Sequence, residues 1–219
     1  MTADLDSYFI FSEEGKIIPT EKGRELMREN WGEEWDDDMF ETEAQQKNAK
    51  AKIKVKNLAV PVYRQQTGYW CAPASCKEVQ QYLRKKSASQ KLWAKRLKTT
   101  KKGTAIANIP RPLTKYTNKK YILVSVNNYK RWKKNIWSGI SKKIPAILSI
   151  RVTEEQKREW EYSTSGHFLP TSGAVLKNGL ISKVRMADPH PTHYGQKRRK
   201  VRLTHQVCKQ AVIDRKSVV

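Results

Sequence analysis

The chain has 219 residues, of which 44 are Lys or Arg and 21 are Asp or Glu, giving a formal net charge of +23, and 38% are hydrophobic. This length and apolar content are sufficient for a domain with a buried core, which excludes a wholly disordered chain. No apolar run approaches the roughly 20 residues of a membrane span, and the first residues lack the basic and apolar stretches of a signal peptide.

Charge divides the chain into two blocks. Residues 1–45 contain fourteen acidic and four basic side chains, a net charge of −10, whereas residues 46–219 contain forty basic and seven acidic ones, a net charge of +33. Because opposite charges attract, we interpret residues 1–45 either as an acidic extension that packs on its own domain or as a removable pro-segment that covers a basic face. Residues 46–57, polar and Lys-rich, are predicted to be a linker, and residues 58–219 the main domain.

Periodic apolar residues predict the helices in chain order. A short helix is expected between Thr20 and Gly32. A longer helix begins beside Cys71, since apolar residues recur after it at intervals of four, three and four. Two further helices are predicted over residues 89–98 and 128–143.

The C-terminal part of the domain is predicted to be a sheet. Residues 146–150 are typical of a buried strand, and Asn178-Gly179 is a strong signal for a two-residue hairpin. In a hairpin without bulges, His167 and Asp188 become diagonal neighbours on one face. A slip of one residue would turn them to opposite faces. Pro170 favours an edge or an irregularity, because it cannot donate to a ladder.

Cys71 has the surroundings expected of an activated thiol. It lies at or beside the start of a helix, where Pro73 suits the first turn and the helix dipole favours a thiolate. Gln65, on the loop that enters the helix, could donate its side-chain amide to an oxyanion hole together with the Cys71 N–H. His167 as base and Asp188 as its orienting carboxylate would complete a Cys-His-Asp triad.

The cysteine spacing predicts no metal site and leaves room for one disulfide at most, such as one between Cys76 and Cys208. With Cys76 and Cys208 the chain has three cysteines, so a disulfide could use two at most. There is no Cys-x-x-Cys or paired His spacing of the kind that binds zinc. Cys76 falls on the buried face of the predicted helix and is expected to be a small core residue.

These residues together resemble the papain-like cysteine peptidases, and among them the C39-like branch, akin to domains that trim bacteriocin leader peptides. The motifs are Gln65-x5-Cys71 followed by Ala-Pro-Ala-Ser, then Gly166-His167 and Ala187-Asp188-Pro189, over about residues 58–205. The resemblance implies an α+β papain-like fold, with a nucleophile helix packed against an antiparallel β-sheet.

The resemblance also implies a role for each motif residue. Cys71 would be the nucleophile, His167 the general base and acid, Asp188 the orienting carboxylate, and Gln65 the oxyanion donor. The adjacent Gln66 is the alternative donor, but the six-residue spacing favours Gln65. The chain departs from the family pattern by having Ala rather than Gly after the nucleophile, and by the proline in the strand that follows the histidine.

The expected function is a cysteine peptidase that hydrolyses a peptide or protein substrate without a metal or organic cofactor. One alternative is a catalytically inactive binding protein on the same scaffold, whose basic body grips an anionic surface or polymer. Another is a thiol-dependent acyl transferase. An intramolecular contact with the acidic N-terminal segment is a further expected interaction. The sequence does not decide the compartment, although the family resemblance favours an extracellular one.

Overall fold

The computed structural model describes residues 8–11, 17–31 and 53–218. The chain divides into two units, residues 1–52 and residues 53–219. The last five residues of the predicted 46–57 linker, residues 53–57, belong to the second unit, and residues 46–52 lie outside the described residues. Much of the acidic extension lies outside the described residues, so its role as a pro-segment stays a prediction. Within the described ranges, no helix has both the length and the apolar character needed to cross a membrane.

The described residues of the first unit, 8–11 and 17–31, form a small antiparallel strand pair and a helix. Strand β1 (Phe9–Phe11) pairs antiparallel with β2 (Ile17–Pro19), and α1 (Glu21–Trp31) follows directly. The helix begins with a side-chain cap, because Thr20 Oγ1 accepts the Gly23 N–H at 3.1 Å. The helix predicted between Thr20 and Gly32 is confirmed, and Gly32 itself lies outside the described residues.

The second unit is helical at first and becomes mainly a sheet. Its elements in chain order are β3 (Ile53–Asn57), α2 (Cys71–Arg84), α3 (Gln90–Arg96), α4 (Pro110–Thr117), β4 (Tyr121–Ser125), α5 (Tyr129–Ser141), β5 (Ile147–Val152), α6 (Lys157–Trp160), β6 (Thr164–Lys177), β7 (Leu180–Asp188), β8 (Gly195–Lys200), α7 (Val201–Val207) and β9 (Cys208–Asp214), with short 3-10 helices at Ile106–Asn108 and Arg215–Ser217. The two further predicted helices correspond to α3 and α5, and the predicted buried strand to β5.

Seven strands of this unit form one antiparallel sheet. Their order is β4-β9-β5-β6-β7-β8, and β3 pairs with the second half of β6. Two apolar clusters form because successive strand residues point to opposite faces. Ile147 packs in a cluster with residues of α2, and Leu148 in a cluster with residues of α5. The sheet is thus covered by helices on both faces, and α2 is held against β6.

The predicted hairpin between β6 and β7 is present, but the assumption that it has no bulges is wrong. Ser182 is an extra residue on β7, and Ser172 is an extra residue on β6, each shifting the register by one. The two shifts cancel. Successive pairs along the hairpin are Lys177↔Leu180, Leu176↔Ile181, Val175↔Lys183, Ala174↔Val184, Gly173↔Arg185 and Thr171↔Met186. Beyond Ser172 the strands therefore return to the register of a bulge-free hairpin.

Pro170 does not interrupt β6. It lies opposite Ile147 of β5, and the ladder to β7 begins one residue later, at Thr171. The strand changes partners at this point, and the irregularity expected at Pro170 is found instead at Ser172. His167 and Asp188 consequently face the same region of the sheet, as the bulge-free register predicts.

Candidate active site

The Cys71 thiol lies at the start of α2. Cys71 is the first residue of the helix and is 8% exposed, and the N-cap residue Trp70 provides no side-chain cap. The backbone groups of Ala72 and Phe168 next to the sulfur lower the pKa of the Cys71 thiol and so favour its thiolate form. The sequence thus places the thiol where the positive end of the helix dipole acts on it.

Cys71 and His167 shift each other's pKa in opposite directions. Burial alone would raise the pKa of the Cys71 thiol, but the hydrogen bond and charge of His167 lower it below its ordinary value of 9.0. Burial would lower the pKa of His167, but its hydrogen bonds with Asp188 and Cys71 raise it to about 10. The buried pair therefore favours a thiolate beside an imidazolium.

Asp188 holds the other side of the histidine ring. Its Oδ1 lies 2.8 Å from His167 Nε2, and both side chains are buried. Since Nε2 is taken by the carboxylate, Nδ1 is the ring nitrogen left for the thiol. The proximity of these two residues, predicted from the hairpin, is present in the structure.

Two further groups fix the Asp188 carboxylate. The Tyr162 hydroxyl donates to Oδ2 at 2.7 Å, and the His190 N–H donates to Oδ1 at 2.9 Å. Burial would raise the pKa of Asp188, but its bond with His167 and these two donors keep it below the ordinary value of 3.8. The carboxylate therefore stays charged next to the imidazolium.

Tyr162 and His190 are not identified as site residues by the sequence. His190 lies between Pro189 and Pro191, a pattern typical of a surface turn, yet its ring stacks on Tyr162 with centroids 4.1 Å apart. Burial, followed by the charge of His167, lowers the pKa of His190 to about 4, so its ring is neutral at neutral pH. Tyr162 precedes β6 and follows α6, and no spacing rule in the sequence connects it with a carboxylate 26 residues away.

Gln65 lies beside the residue that follows Asp188. Its backbone N–H donates to Pro189 O at 2.8 Å, and its side chain is buried, whereas that of Gln66 is exposed. Gln65 Nε2 donates to Thr67 O at 2.7 Å. A carboxamide nitrogen has two hydrogens, so this bond uses only one of them. Of the two candidate glutamines, Gln65 is the one whose position fits an interior donor.

Helix α2 presents two other polar side chains on the face that carries Cys71. Ser75 Oγ donates to Phe168 O at 2.9 Å and so attaches the helix to β6 beside His167. Glu78 is fully buried, and its Oε1 accepts the Tyr63 N–H at 2.7 Å. Burial raises the pKa of Glu78 well above 4.5 despite this bond, which favours an uncharged carboxyl group.

The remaining cysteines lie in the core. Cys76 and Cys208 are free thiols like Cys71, but burial raises the pKa of both, that of Cys208 to about 12. Cys76 is a fully buried core residue, as predicted. Across residues 8–11, 17–31 and 53–218, no group of three or more His, Cys, Asp or Glu side chains is arranged to hold a metal ion.

The α+β architecture, with a cysteine at the start of a helix packed on an antiparallel sheet, is the papain-like cysteine peptidase fold. Solved structures share it. The peptidase domain of Streptococcus ComA, a bifunctional ABC transporter involved in quorum sensing, is 15% identical with a TM-score of 0.50, over 70% of this chain and 96% of that one. A C39-like peptidase from Bacillus anthracis is 12% identical with a TM-score of 0.50, over 73% and 97% of the two chains.

The chain belongs to the Peptidase C39 like family, whose model matches residues 57–212. The match covers the loop with Gln65, helix α2 and almost the whole sheet. Among curated proteins, none matches the chain. The family assignment agrees with the resemblance found in the sequence motifs.

Proposed function

We propose that this protein is a cysteine peptidase in which Cys71, His167 and Asp188 form the catalytic triad and Gln65 supplies an oxyanion donor. The observation that supports this most directly is the buried hydrogen bond between His167 and Asp188 beside the Cys71 thiol, with the thiol pKa lowered by His167 and the imidazole pKa raised. Membership of the C39-like family supports a peptide or protein as the substrate.

In the proposed mechanism each of these four residues has a role in hydrolysis. The Cys71 thiolate attacks the peptide carbonyl carbon, and the Gln65 amide and the Cys71 N–H stabilise the oxyanion that forms. His167 then donates its proton to the departing amine, leaving a thioester on Cys71. A water molecule, deprotonated by His167, attacks the thioester carbonyl to form a second tetrahedral intermediate. Its collapse breaks the C–S bond, releases the carboxylic acid and restores the Cys71 thiolate beside the His167 imidazolium. Asp188 keeps the imidazole oriented and stabilises its positive charge throughout.

Cleavage of a diverse peptide library tests the proposal without the choice of one particular substrate. The purified chain is incubated with the library, and new termini are identified by mass spectrometry. We expect a set of cleavages that disappears with C71A. If wild-type protein and C71A release the same peptides, or if neither releases any, the proposed activity is wrong.

Thiol labelling is expected to separate Cys71 from the other two cysteines. Because the pKa of Cys71 is lowered and those of Cys76 and Cys208 are raised, iodoacetamide should label Cys71 first at pH 7. The rate at Cys71 should fall only when the pH drops below its lowered pKa. Peptide mass mapping of labelled protein at several pH values measures this. Equal labelling of the three thiols in folded protein would contradict an activated Cys71.

A second candidate function, binding of an anionic polymer, is supported by one face of the sheet. Lys183 pairs directly opposite Lys200, and Arg185 directly opposite Arg198, so four like charges meet on the ladder of β7 and β8. Burial, and then the charge of Arg198, lowers the pKa of Arg185. Like charges directly opposite are destabilising, and a polyanion would relieve the repulsion. We call these four residues the basic face.

The acidic residues of the second unit lie elsewhere. Glu161 pairs with Lys197 and Arg199, and Asp188 pairs with His167. Asp214 accepts the backbone N–H of Lys216 and so caps the 3-10 helix at Arg215–Ser217. In residues 53–218, no ion pair of the basic face is found, and its four side chains remain available to phosphate or carboxylate groups.

Binding of a fluorescent single-stranded oligonucleotide, a generic polyanion, is expected to weaken steeply with added salt and to survive C71A. Replacing Arg185 and Arg198 with glutamine removes two cations, so the slope of log affinity against log salt should decrease by about 1.4. The matched control is K101Q/K102Q, which removes two exposed cations from a loop. Fluorescence anisotropy measures both. If the slope of log affinity against log salt decreased equally in the two double variants, net charge and not the basic face would control binding.

A further inference from the structure

The loop that carries Gln65 is fastened by side chains from two helices. Glu78 of α2 accepts the Tyr63 N–H, and the Gln65 N–H is bonded to Pro189 O. A further residue, Gln90, the first residue of α3, bonds the backbone of both chain neighbours of Gln65, Arg64 and Gln66. The mechanism proposed above does not involve Gln90, which is far from Gln65 in the sequence.

The Gln90 carboxamide hydrogen-bonds with the backbone on both sides of Gln65, and we call this pair of bonds the clamp. Its Nε2 donates to Arg64 O at 2.8 Å, and its Oε1 accepts the Gln66 N–H at 3.0 Å. Because each end of the carboxamide has its own partner, the orientation of the group is determined. The side chain is only 2% exposed, so water does not compete readily for these bonds. The two peptide groups adjoining Gln65 are therefore bound to a single rigid amide.

Such a clamp matters because an oxyanion donor acts only when it is already in place. Donors that are preorganised in a buried site need no reorganisation as the charge develops. Displacement of a reacting or stabilising group by about 1 Å can cost roughly 100-fold in rate. Gln65 reaches the reaction through its side chain alone, so its position depends on how firmly its backbone is held.

We infer that Gln90 is a positioning residue that sets the Gln65 side chain for stabilisation of the oxyanion. The inference rests on the proposed function, since it assigns Gln90 a role through Gln65. It distinguishes Gln90 from the many buried polar residues that only stabilise the fold. The distinction is testable, because a positioning residue loses its effect when the group that it positions is absent.

The experiment compares Q90M, Q65A and the double variant with Q80M as the matched control. Methionine keeps the length of glutamine and removes its donor and acceptor. Gln80 is also a buried clamp, because its Oε1 accepts from the Ala88 N–H and from Trp93 Nε1, but these bonds lie outside the Gln65 loop. Because Ala88 and Trp93 flank Gln90 at the start of α3, Q80M measures the cost of losing a buried carboxamide that steadies this helix without bonding the Gln65 loop.

Two reactions of Cys71 are followed in each variant. p-Nitrophenyl acetate acetylates the thiolate and releases p-nitrophenolate, passing through a tetrahedral oxyanion, and the initial burst gives the acylation rate. Iodoacetamide alkylates the same thiolate by displacing iodide, and no oxyanion forms. The ratio of the two rates reports the oxyanion hole separately from the reactivity and accessibility of the thiol.

We expect Q90M to lower acylation about tenfold and Q65A about 100-fold, with alkylation rates nearly unchanged. The double variant should match Q65A within about twofold, since Gln90 acts through Gln65. Q80M should leave the ratio at its wild-type value even where it lowers the melting temperature.

Three outcomes would overturn the inference. Equal decreases of acylation and alkylation in Q90M would show a general structural role. Effects that multiply in the double variant would show that Gln90 does not act through Gln65. A decrease of the rate ratio in Q80M as large as that in Q90M would show that the effect comes from the position of α3 and not from the bonds that Gln90 makes. Failure of the wild-type protein to acylate at Cys71 would instead overturn the proposed function, and the inference with it.

Discussion

Replacement of Cys71 by alanine is expected to lower kcat for peptide hydrolysis about 10⁴- to 10⁶-fold while leaving the fold intact. The variant has no sulfur to attack the carbonyl, so no thioester can form. The substitution removes one small atom from a side chain that is nearly buried, and little packing is lost. Cleavage rates of the best library peptide, together with the melting temperature, measure both effects.

The control for this variant is C76A, on the same helix. Cys76 is fully buried, and burial raises its pKa, so it is a packing residue and not a nucleophile. C76A should lower the melting temperature and retain kcat, the opposite of C71A. If C71A retained activity, or if both variants lost it equally, Cys71 would not be the nucleophile.

Replacement of Asp188 by asparagine is expected to lower kcat about 10⁴-fold, with the protein still folded. Asparagine has nearly the same shape, but its amide group presents a donor or a neutral acceptor to His167 Nε2 in place of a charged acceptor. The imidazolium then loses its stabilising charge, so the pKa of His167 falls and that of Cys71 rises. Because the pKa of Cys71 rises, the pH profile of iodoacetamide labelling at Cys71 should shift to higher pH.

Y162F provides the comparison for D188N. It removes one hydrogen bond to Asp188 and leaves the charge, so we expect a loss in kcat of about 10-fold, equivalent to one charge-assisted hydrogen bond. Because the carboxylate charge remains beside His167, the labelling profile of Y162F should stay close to that of wild type, unlike the profile of D188N. Equal losses in D188N and Y162F would mean that the carboxylate charge contributes nothing beyond its hydrogen bonds.

Part of the site could be predicted from the sequence because its geometry is local. Helical periodicity and Pro73 place Cys71 at the start of α2, and the Asn178-Gly179 turn places His167 near Asp188. Each of these inferences needs only one element or one hairpin. The bulge at Ser172 could not be predicted, since β6 is buried on both faces there and has no alternation for an inserted residue to break. The bulge in β7 does leave a mark, because Ser182 and Lys183 are consecutive polar residues in an otherwise alternating strand.

Other parts of the site depend on contacts between distant segments. Tyr162 donates its hydroxyl and His190 its backbone N–H to Asp188, and Gln90 reaches the Gln65 loop from another helix. Polar groups that satisfy one another at long range have no periodic signature. Strand β3 is a different case, because its alternation of Ile, Lys and Val is visible in the sequence, but its high lysine content favours a linker.

The paired bulges restrict how this hairpin can change in length. Deletion of Ser182 alone would shift the pairing register of β6 and β7 by one residue as far as Asp188, and so turn Asp188 away from His167. Loss of Ser172 alone would do the same in the opposite sense, whereas loss of both would restore the alignment. Homologous proteins are therefore expected to gain or lose residues here in compensating pairs, and an odd difference in strand length would mark a chain whose histidine has lost its carboxylate.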